Sequence, residues 1–215
     1  MSEMNTPENS MNAHPILKSV AVFCGSSPGH APEHMALATR LGDAIAARGL
    51  RLVYGGGGLG LMGAVARAAF QGGARVLGII PEILCEVEAL FPDIEHDIVP
   101  DMHTRKIRMY NEADAFIILP GGIGTLEEAI EVLSWQRLNL HEKPILFLSD
   151  TGFWDGLLAE FAHLIDAGFA GKAMAADILS ANKVETAFAT LIERLDNPIV
   201  RKPLMLRPAS VNTLA

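Results

Sequence analysis

Two adjacent cations and one carboxylate, each near the expected start of a helix, carry the chemistry most legible in this sequence. Arg105 and Lys106 end the run Asp101-Met102-His103-Thr104-Arg105-Lys106, and Glu128 closes Pro120-Gly121-Gly122-Ile123-Gly124-Thr125-Leu126-Glu127-Glu128. A carboxylate there would point toward a place where a phosphate or sugar could sit, so that one residue could be both cap and catalyst. The glycine turn ahead of it can bring backbone N–H groups to a phosphate at the positive end of a helix dipole. Both runs also have plainer readings. Thr125 with Glu128 three residues on fits a capping box, and Arg105-Lys106 fits a solvated surface pair. His103 reads as an ordinary helix-start residue, because none of the seven histidines has metal-ligand spacing to another His or Cys.

A second glycine-rich run, Gly55-Gly56-Gly57-Gly58-Leu59-Gly60-Leu61-Met62-Gly63, lies between a strand pattern and a helix pattern. Its last six residues satisfy G-x-G-x-x-G, and Glu82 stands near the acidic position, about 20 residues on, that a dinucleotide fingerprint requires. Yet the motif follows the second strand rather than the first, and 215 residues leave little room for a separate substrate domain. The alternative is that these glycines serve tight turns and close helix packing.

The elements that must position these residues alternate along the chain. Short aliphatic runs predict strands over 20–24, 52–54, 75–80, 97–99, 115–119, 145–148 and, weakly, 177–179. Between them, helical periodicity predicts helices: one carrying Met35, Ala38, Leu41 and Ile45, one from Gly60 to the Gly72-Gly73 stop, and others over 102–113, 126–138, 154–167 and 184–195. This is the order of βαβ units, and it predicts an α/β fold: a Rossmann-like open, mostly parallel sheet of about seven strands with helices on both faces. Right-handed crossovers then gather the strand C-termini along one edge, where ligands bind. The loops 24–27, 55–60 and 120–125 fall at that edge.

Composition bounds the partners. With 25 Asp and Glu against 17 Lys and Arg, the net charge is −8, which argues against a nucleic-acid polymer as ligand. Two cysteines, Cys24 and Cys85, form no disulfide framework, and no apolar run reaches the 18 or more residues needed to span a bilayer. A cytoplasmic protein without a membrane partner is expected. Residues 1–18 read as a disordered tail, 19–196 as a single nucleotide-binding domain, and 197–215, with three prolines, as a peripheral tail.

Taken together, M-H-x-R-K at 102–106 and P-G-G-x-G-T-x-x-E at 120–128 closely resemble the signature of the LOG family, the cytokinin riboside 5′-monophosphate phosphoribohydrolases, whose members are often labelled lysine decarboxylases. The resemblance extends from Val20-Ala21-Val22-Phe23-Cys24-Gly25-Ser26-Ser27 through Val53-Tyr54-Gly55-Gly56-Gly57 to Trp135 and Lys143-Pro144. It implies hydrolysis of the N-glycosidic bond of a nucleoside 5′-monophosphate, typically N6-substituted AMP, with Arg105 and Glu128 as catalytic residues and no metal or other cofactor. The substrate-binding residues it implies are Ser26, Gly56, Gly57, Lys106, Gly121, Gly122, Ile123, Gly124, Thr125, Leu126, Glu127 and Ser134, with Glu88 as an upstream acidic contact for which Glu86 competes. A homodimer is implied as well. The decarboxylase label is at odds with the chemistry, since pyridoxal phosphate needs a lysine for its Schiff base and only Lys106 falls near the expected crevice. The rival reading is a non-catalytic nucleotide or cofactor carrier on the same fold. A pure carrier needs the glycine loops but has no use for Arg105 and Glu128 together.

Overall fold

A computed structural model of the protein describes residues 17–199. Seven strands form one sheet: β1 (Ser19–Phe23), β2 (Arg51–Tyr54), β3 (Val76–Pro81), β4 (Glu95–Val99), β5 (Ala115–Ile118), β6 (Ile145–Leu148) and β7 (Ile178–Ala181). Their order is β4-β3-β2-β1-β5-β6-β7, and every pairing is parallel. β1, β5 and β6 are buried along their whole length, which is why they read as unbroken apolar runs rather than alternating ones. β4 lies at an edge and accordingly carries Glu95, His96 and Asp97.

The connecting helices are α1 (Pro32–Ala47), α2 (Gly60–Gln71), α3 (Met102–Glu112), α4 (Ile123–Arg137), α5 (Asp155–Asp166), α6 (Met174–Asp177) and α7 (Val184–Asp196). Alternate residues of each strand feed two cores. Val20, Val22, Leu52 and Tyr54 pack with α1, α2 and α7, while Ala21, Phe23, Phe116 and Ile118 pack with α3, α4 and α5. Helices therefore cover both faces, as the sequence predicts. α1 opens on Pro32, whose missing N–H costs nothing in a first turn, and Gly49 follows its C-cap at φ +64. Among the described residues, no helix is long and apolar enough to cross a membrane.

Strand reversal occurs between β1 and β5, so the loops after these two strands open side by side, at the position where ligands enter such sheets. The chain holds them together there: the Gly25 N–H donates to the Pro120 carbonyl at 3.0 Å. α3 must return from edge strand β4 to β5, and on the way it packs against β3, β2 and β1. That long crossover carries its first turn over the ends of the central strands.

Three differences from the sequence reading have physical causes. α4 begins at Ile123, three residues before the expected 126, because packing outweighs the roughly 1 kcal/mol that Gly124 costs inside a helix. A single 3₁₀ turn at Glu82–Leu84 and the four-residue α6 were not expected, both being too short to show a period. Of the expected N-terminal tail, only Leu17 and Lys18 are described; Lys18 is tied down, its N–H donating to Asp114 and its carbonyl accepting from Arg51. The remainder of that tail, and the expected C-terminal tail from 200 on, lie outside the described residues.

The tightest helix contact lies between α1 and α2 at Gly42, where an added Cβ would stand 2.5 Å from the Val65 carbonyl oxygen and 2.7 Å from the Ala68 Cβ. Gly42→Ala gains at most about 1 kcal/mol of helix propensity against about 1–3 kcal/mol of overpacking. We expect a net loss, read as a lower urea midpoint with unchanged slope. An equal or higher midpoint would show that the two helices have room to part.

Candidate active site

At the strand-reversal crevice, the Arg105 guanidinium and the Glu128 carboxylate meet, Nη1 to Oε1, at 3.0 Å. Both residues are only 7% exposed. Arg105 comes from the first turn of α3, which Asp101 caps by accepting from the Thr104 N–H at 2.8 Å and the Thr104 hydroxyl at 3.0 Å. Those two hydrogen bonds hold the Asp101 carboxyl below its ordinary pKa. The Arg105 Nε donates to the Ile79 carbonyl at the end of β3, 3.1 Å away. The guanidinium lies directly over Gly55, where a Cβ would stand 2.2 Å from Nη2. Gly55 is therefore needed for the close approach of a side chain.

Glu128 sits in the second turn of α4. Thr125 is the third residue of that helix and its N-cap is Gly122, with no side-chain cap, so the capping-box reading does not hold. Burial pushes the Glu128 carboxyl up to about 7, and the facing Arg105 offsets this only in part. A third acidic group enters from the segment after the 3₁₀ turn. The Glu88 carboxylate packs on Gly57, its Oε2 is shielded from water with no hydrogen-bond partner in the protein, and burial raises its pKa despite the counter-pull of Arg105. Glu86 is exposed and does not line this crevice, whereas Glu88 does.

The rest of the crevice is lined by Gly25, Ser26, Gly122, Gly124 and Thr125 together with Cys24, Gly55, Met62, Leu84 and Met102. The last five were not among the binding residues expected from sequence, although Cys24 and Gly55 lie in loops expected at this edge and Met62 and Met102 in the quoted motifs. Met102 lies three residues before Arg105, on the same helix face, and that spacing was the available signal. Cys24 is fully buried, and burial raises its thiol pKa, so it lines the site as a neutral group.

The two glycine loops differ in what they leave open. In α2 the N–H groups of Leu61 and Met62 already donate to the Gly25 carbonyl, at 3.1 and 3.2 Å. An added Cβ would collide with Ala89 at Gly58, with Ser26 at Gly60 and with the Gly58 carbonyl at Gly63. Close packing therefore accounts for all three glycines of the G-x-G-x-x-G match. At the start of α4, by contrast, among the described residues no group accepts from the N–H of Ile123, Gly124 or Thr125. A Cβ at Gly122 or Gly124 would meet nothing within 4 Å. Packing does not explain those two glycines, whereas room for an anion does.

Several expected binding residues lie apart from Arg105 and Glu128. Lys106 is held by Glu127 at 2.5 Å and Glu131 at 3.0 Å, joining α3 to α4. Partial burial lowers its pKa, but the bonds to the two carboxylates outweigh that and raise it. A charged, paired ammonium is the opposite of what a Schiff-base lysine needs. Ile123 is largely exposed, Leu126 packs into the core, and Ser134 donates to the Ile130 carbonyl on the exposed side of α4. Gly56, at φ +86, turns the chain against Ile80, and Gly121 leaves room for the Thr125 hydroxyl. Trp135 packs edge-on to Tyr110.

A buried carboxylate–guanidinium pair beside a helix start with unpaired N–H groups lies at the reversal point of an open parallel sheet, the place where Rossmann-like folds of the α/β class bind ligands. The chain belongs to the family described as possible lysine decarboxylase, which it matches over residues 62–191. It is 44% identical over 184 residues to a cytokinin riboside 5′-monophosphate phosphoribohydrolase of Rhodococcoides fascians, covering 85% of this chain and 93% of that one. A protein of the same description from Arabidopsis thaliana is 45% identical over 165 residues, 76% of each chain. Among solved structures, the molybdenum cofactor (Moco) carrier protein of Chlamydomonas reinhardtii superposes with a TM-score of 0.63 at 20% identity, covering 84% of this chain and 98% of its own. The molybdenum cofactor binding protein of Rippkaea orientalis does so at 0.63 and 19%, covering 83% and 97%. These two share the fold.

If Gly55 exists to seat Arg105, Gly55→Ala should unseat it and leave Glu128 without its partner. Breaking a buried pair costs about 3–5 kcal/mol, and urea unfolding should show a loss of that order. Gly124→Ala should leave the midpoint equal or slightly raised. Equal stabilities for the two variants would refute the assignment of Gly55.

Proposed function

We propose that this protein hydrolyses the N-glycosidic bond of an N6-substituted adenosine 5′-monophosphate, releasing the free base and ribose 5-phosphate. The observation that carries the reading is the Arg105–Glu128 pair, buried beside a helix start whose N–H groups are unspent. In this reading the phosphate takes the N–H groups at 123–125, and the helix dipole supplies the charge that a chain of net charge −8 does not. The sugar lies against Glu128 and Glu88. As the bond from the anomeric carbon to the base breaks, its electron pair leaves with the base and positive charge grows on the ribose. The Glu128 carboxylate stabilises that charge and accepts a proton from the water that adds to the anomeric carbon; the departing base takes up one proton in turn, and Glu128 returns to its ionised form. Arg105 holds the carboxylate in place and keeps part of its population ionised.

The named activity of the relatives and the two paired motifs support an enzyme over a carrier. A carrier has no need of a buried carboxylate whose burial is costly. The exposed Met102, Ile107 and Ile130 on α3 and α4 support a homodimer, for which light scattering should give about twice the 23.0 kDa of one chain.

Incubation with AMP and with N6-isopentenyl-AMP should yield free base and ribose 5-phosphate from at least one of them by chromatography; intact nucleotide after prolonged incubation would overturn the reading. Glu128→Gln should lower kcat by about 10²–10⁴ while nucleotide affinity persists. Because Glu128 acts ionised and burial raises its carboxyl to about 7, kcat/KM of the native enzyme should fall as pH drops through that value. A profile flat down to pH values well below it would remove Glu128 from the role.

A further inference from the structure

Lys106 follows Arg105 directly on α3, yet it does not line the crevice that Arg105 and Glu128 share. Its ammonium donates to Glu127 at 2.5 Å and to Glu131 at 3.0 Å, and its side chain is only 14% exposed. Glu127, Glu131 and Trp135 stand four residues apart in succession and form one stripe along α4. On α3 the matching stripe is Lys106 and Tyr110, and the Tyr110 ring meets Trp135 edge-on with centroids 5.5 Å apart. The two helices are thus joined along a seam, by charge near the crevice and by aromatic rings farther from it. Arg105 precedes Lys106 by one residue, and Glu128 follows Glu127 by one. A shift along the seam is therefore passed straight to the buried pair, whose contact is 3.0 Å.

We propose that Lys106 is a positioning residue and not a substrate ligand: its bridge to Glu127 and Glu131 fixes the spacing of Arg105 from Glu128 and offsets the negative charge of Glu127 beside Glu128. The inference rests on the proposed activity for the role of Glu128. A ligand role would require the ammonium to leave two carboxylates, exchanging two charge-assisted hydrogen bonds for contacts to one phosphate. The charged and titratable groups around Glu128 are Arg105 and Lys106 from α3, Glu127 from its own helix, Glu88 from the segment after the 3₁₀ turn, and Cys24 at the end of β1, whose thiol is neutral. Arg105 and Lys106 favour the ionised carboxylate, while Glu127 and Glu88 oppose it. Lys106 thus acts on Glu128 in two ways, through helix register and through charge.

Two sets of substitutions separate these effects from substrate binding. Lys106→Met keeps the aliphatic stem and removes the charge. Glu127→Gln combined with Glu131→Gln keeps Lys106 and removes its partners. Both loosen the seam, so kcat with N6-isopentenyl-AMP should fall about tenfold to a hundredfold in each, with Kd for the nucleotide unchanged by calorimetry. On Glu128 they act oppositely. Lys106→Met leaves Glu127 unopposed and should move the acidic limb of kcat/KM to higher pH, whereas the double variant leaves Lys106 unopposed and should move it to lower pH. A loosened fold alone gives no such opposition. Lys106→Arg retains the charge and should restore most of kcat and the native limb. A Kd weakened by Lys106→Met but native in the double variant makes Lys106 a substrate ligand and overturns the inference; so does a limb that moves in neither. If the native protein turns over no nucleotide, the proposed activity fails, and the Glu128 carboxyl is titrated by carbon NMR, its signal identified by its loss in Glu128→Gln. Opposite displacements in the two variants then uphold the inference about Lys106, and an unmoved titration overturns it as well.

Discussion

The arrangement of this molecule turns on a charged pair held where water is nearly excluded. Moving a guanidinium and a carboxylate into the crevice costs several kcal/mol per ion, which their attraction offsets only with good geometry and further hydrogen bonds. Arg105 obtains both, from Glu128 at 3.0 Å and from the Ile79 carbonyl at 3.1 Å. The surroundings answer that demand. Gly55 gives up a side chain so that the guanidinium can pass, Asp101 fixes the turn of α3 from which it departs, and Lys106 binds Glu127 and Glu131 so that α3 and α4 keep their register. A pair this costly adds little to stability compared with apolar side chains of the same volume. Its presence at the strand-reversal point is therefore a mark of chemistry.

Two helix starts at the same sheet edge contrast in what they leave open to an anion. Both α2 and α4 follow glycine-rich turns at the same sheet edge, and dipole arguments alone would make them equivalent. They differ because the Gly25 carbonyl fills the start of α2, while among the described residues no group fills the start of α4. Gly25 thus serves the site twice. Its N–H ties the β1 loop to Pro120, and its carbonyl closes the competing anion position. The acidic balance of the chain fits this division, since a single phosphate can be held by backbone donors without a basic surface.

Much of this architecture was legible in the sequence because its signals are local and strong. Fully buried strands show as aliphatic runs, and the helices between them keep their period, so the seven strands and the parallel order could be read directly. Glycine roles could not. Gly55, Gly60 and Gly124 look alike as letters, yet one passes a guanidinium, one adopts φ +55 against Ser26, and one faces open space. The first two roles are fixed by residues far away in sequence, and the third by the absence of any neighbour within 4 Å among the described residues. The same limit explains the start of α4. Thr125 and Glu128 have the spacing of a capping box, but the helix already begins at Ile123, so both lie inside it and the Glu128 carboxylate faces Arg105. Glu88 was reachable only through resemblance, because nothing in its own neighbourhood marks it apart from Glu86.

Burial and the charge of Arg105 act on Glu128 in opposite senses, and the balance leaves the carboxyl near neutrality rather than at either extreme. In a ground-state complex that balance is indifferent to the sugar. In the reaction proposed for this site, once the ribose begins to carry positive charge a second cation faces the carboxylate, and its ionised form is stabilised by an interaction that did not exist before. An interaction gained only along the reaction lowers the barrier, whereas one present throughout merely tightens binding. A carboxylate fully ionised by an exposed salt bridge would be screened by water and gain less from the developing charge. Placing Glu128 deep enough that burial nearly defeats its ionisation, and then restoring part of it with Arg105, keeps most of its electrostatic response for the transition state.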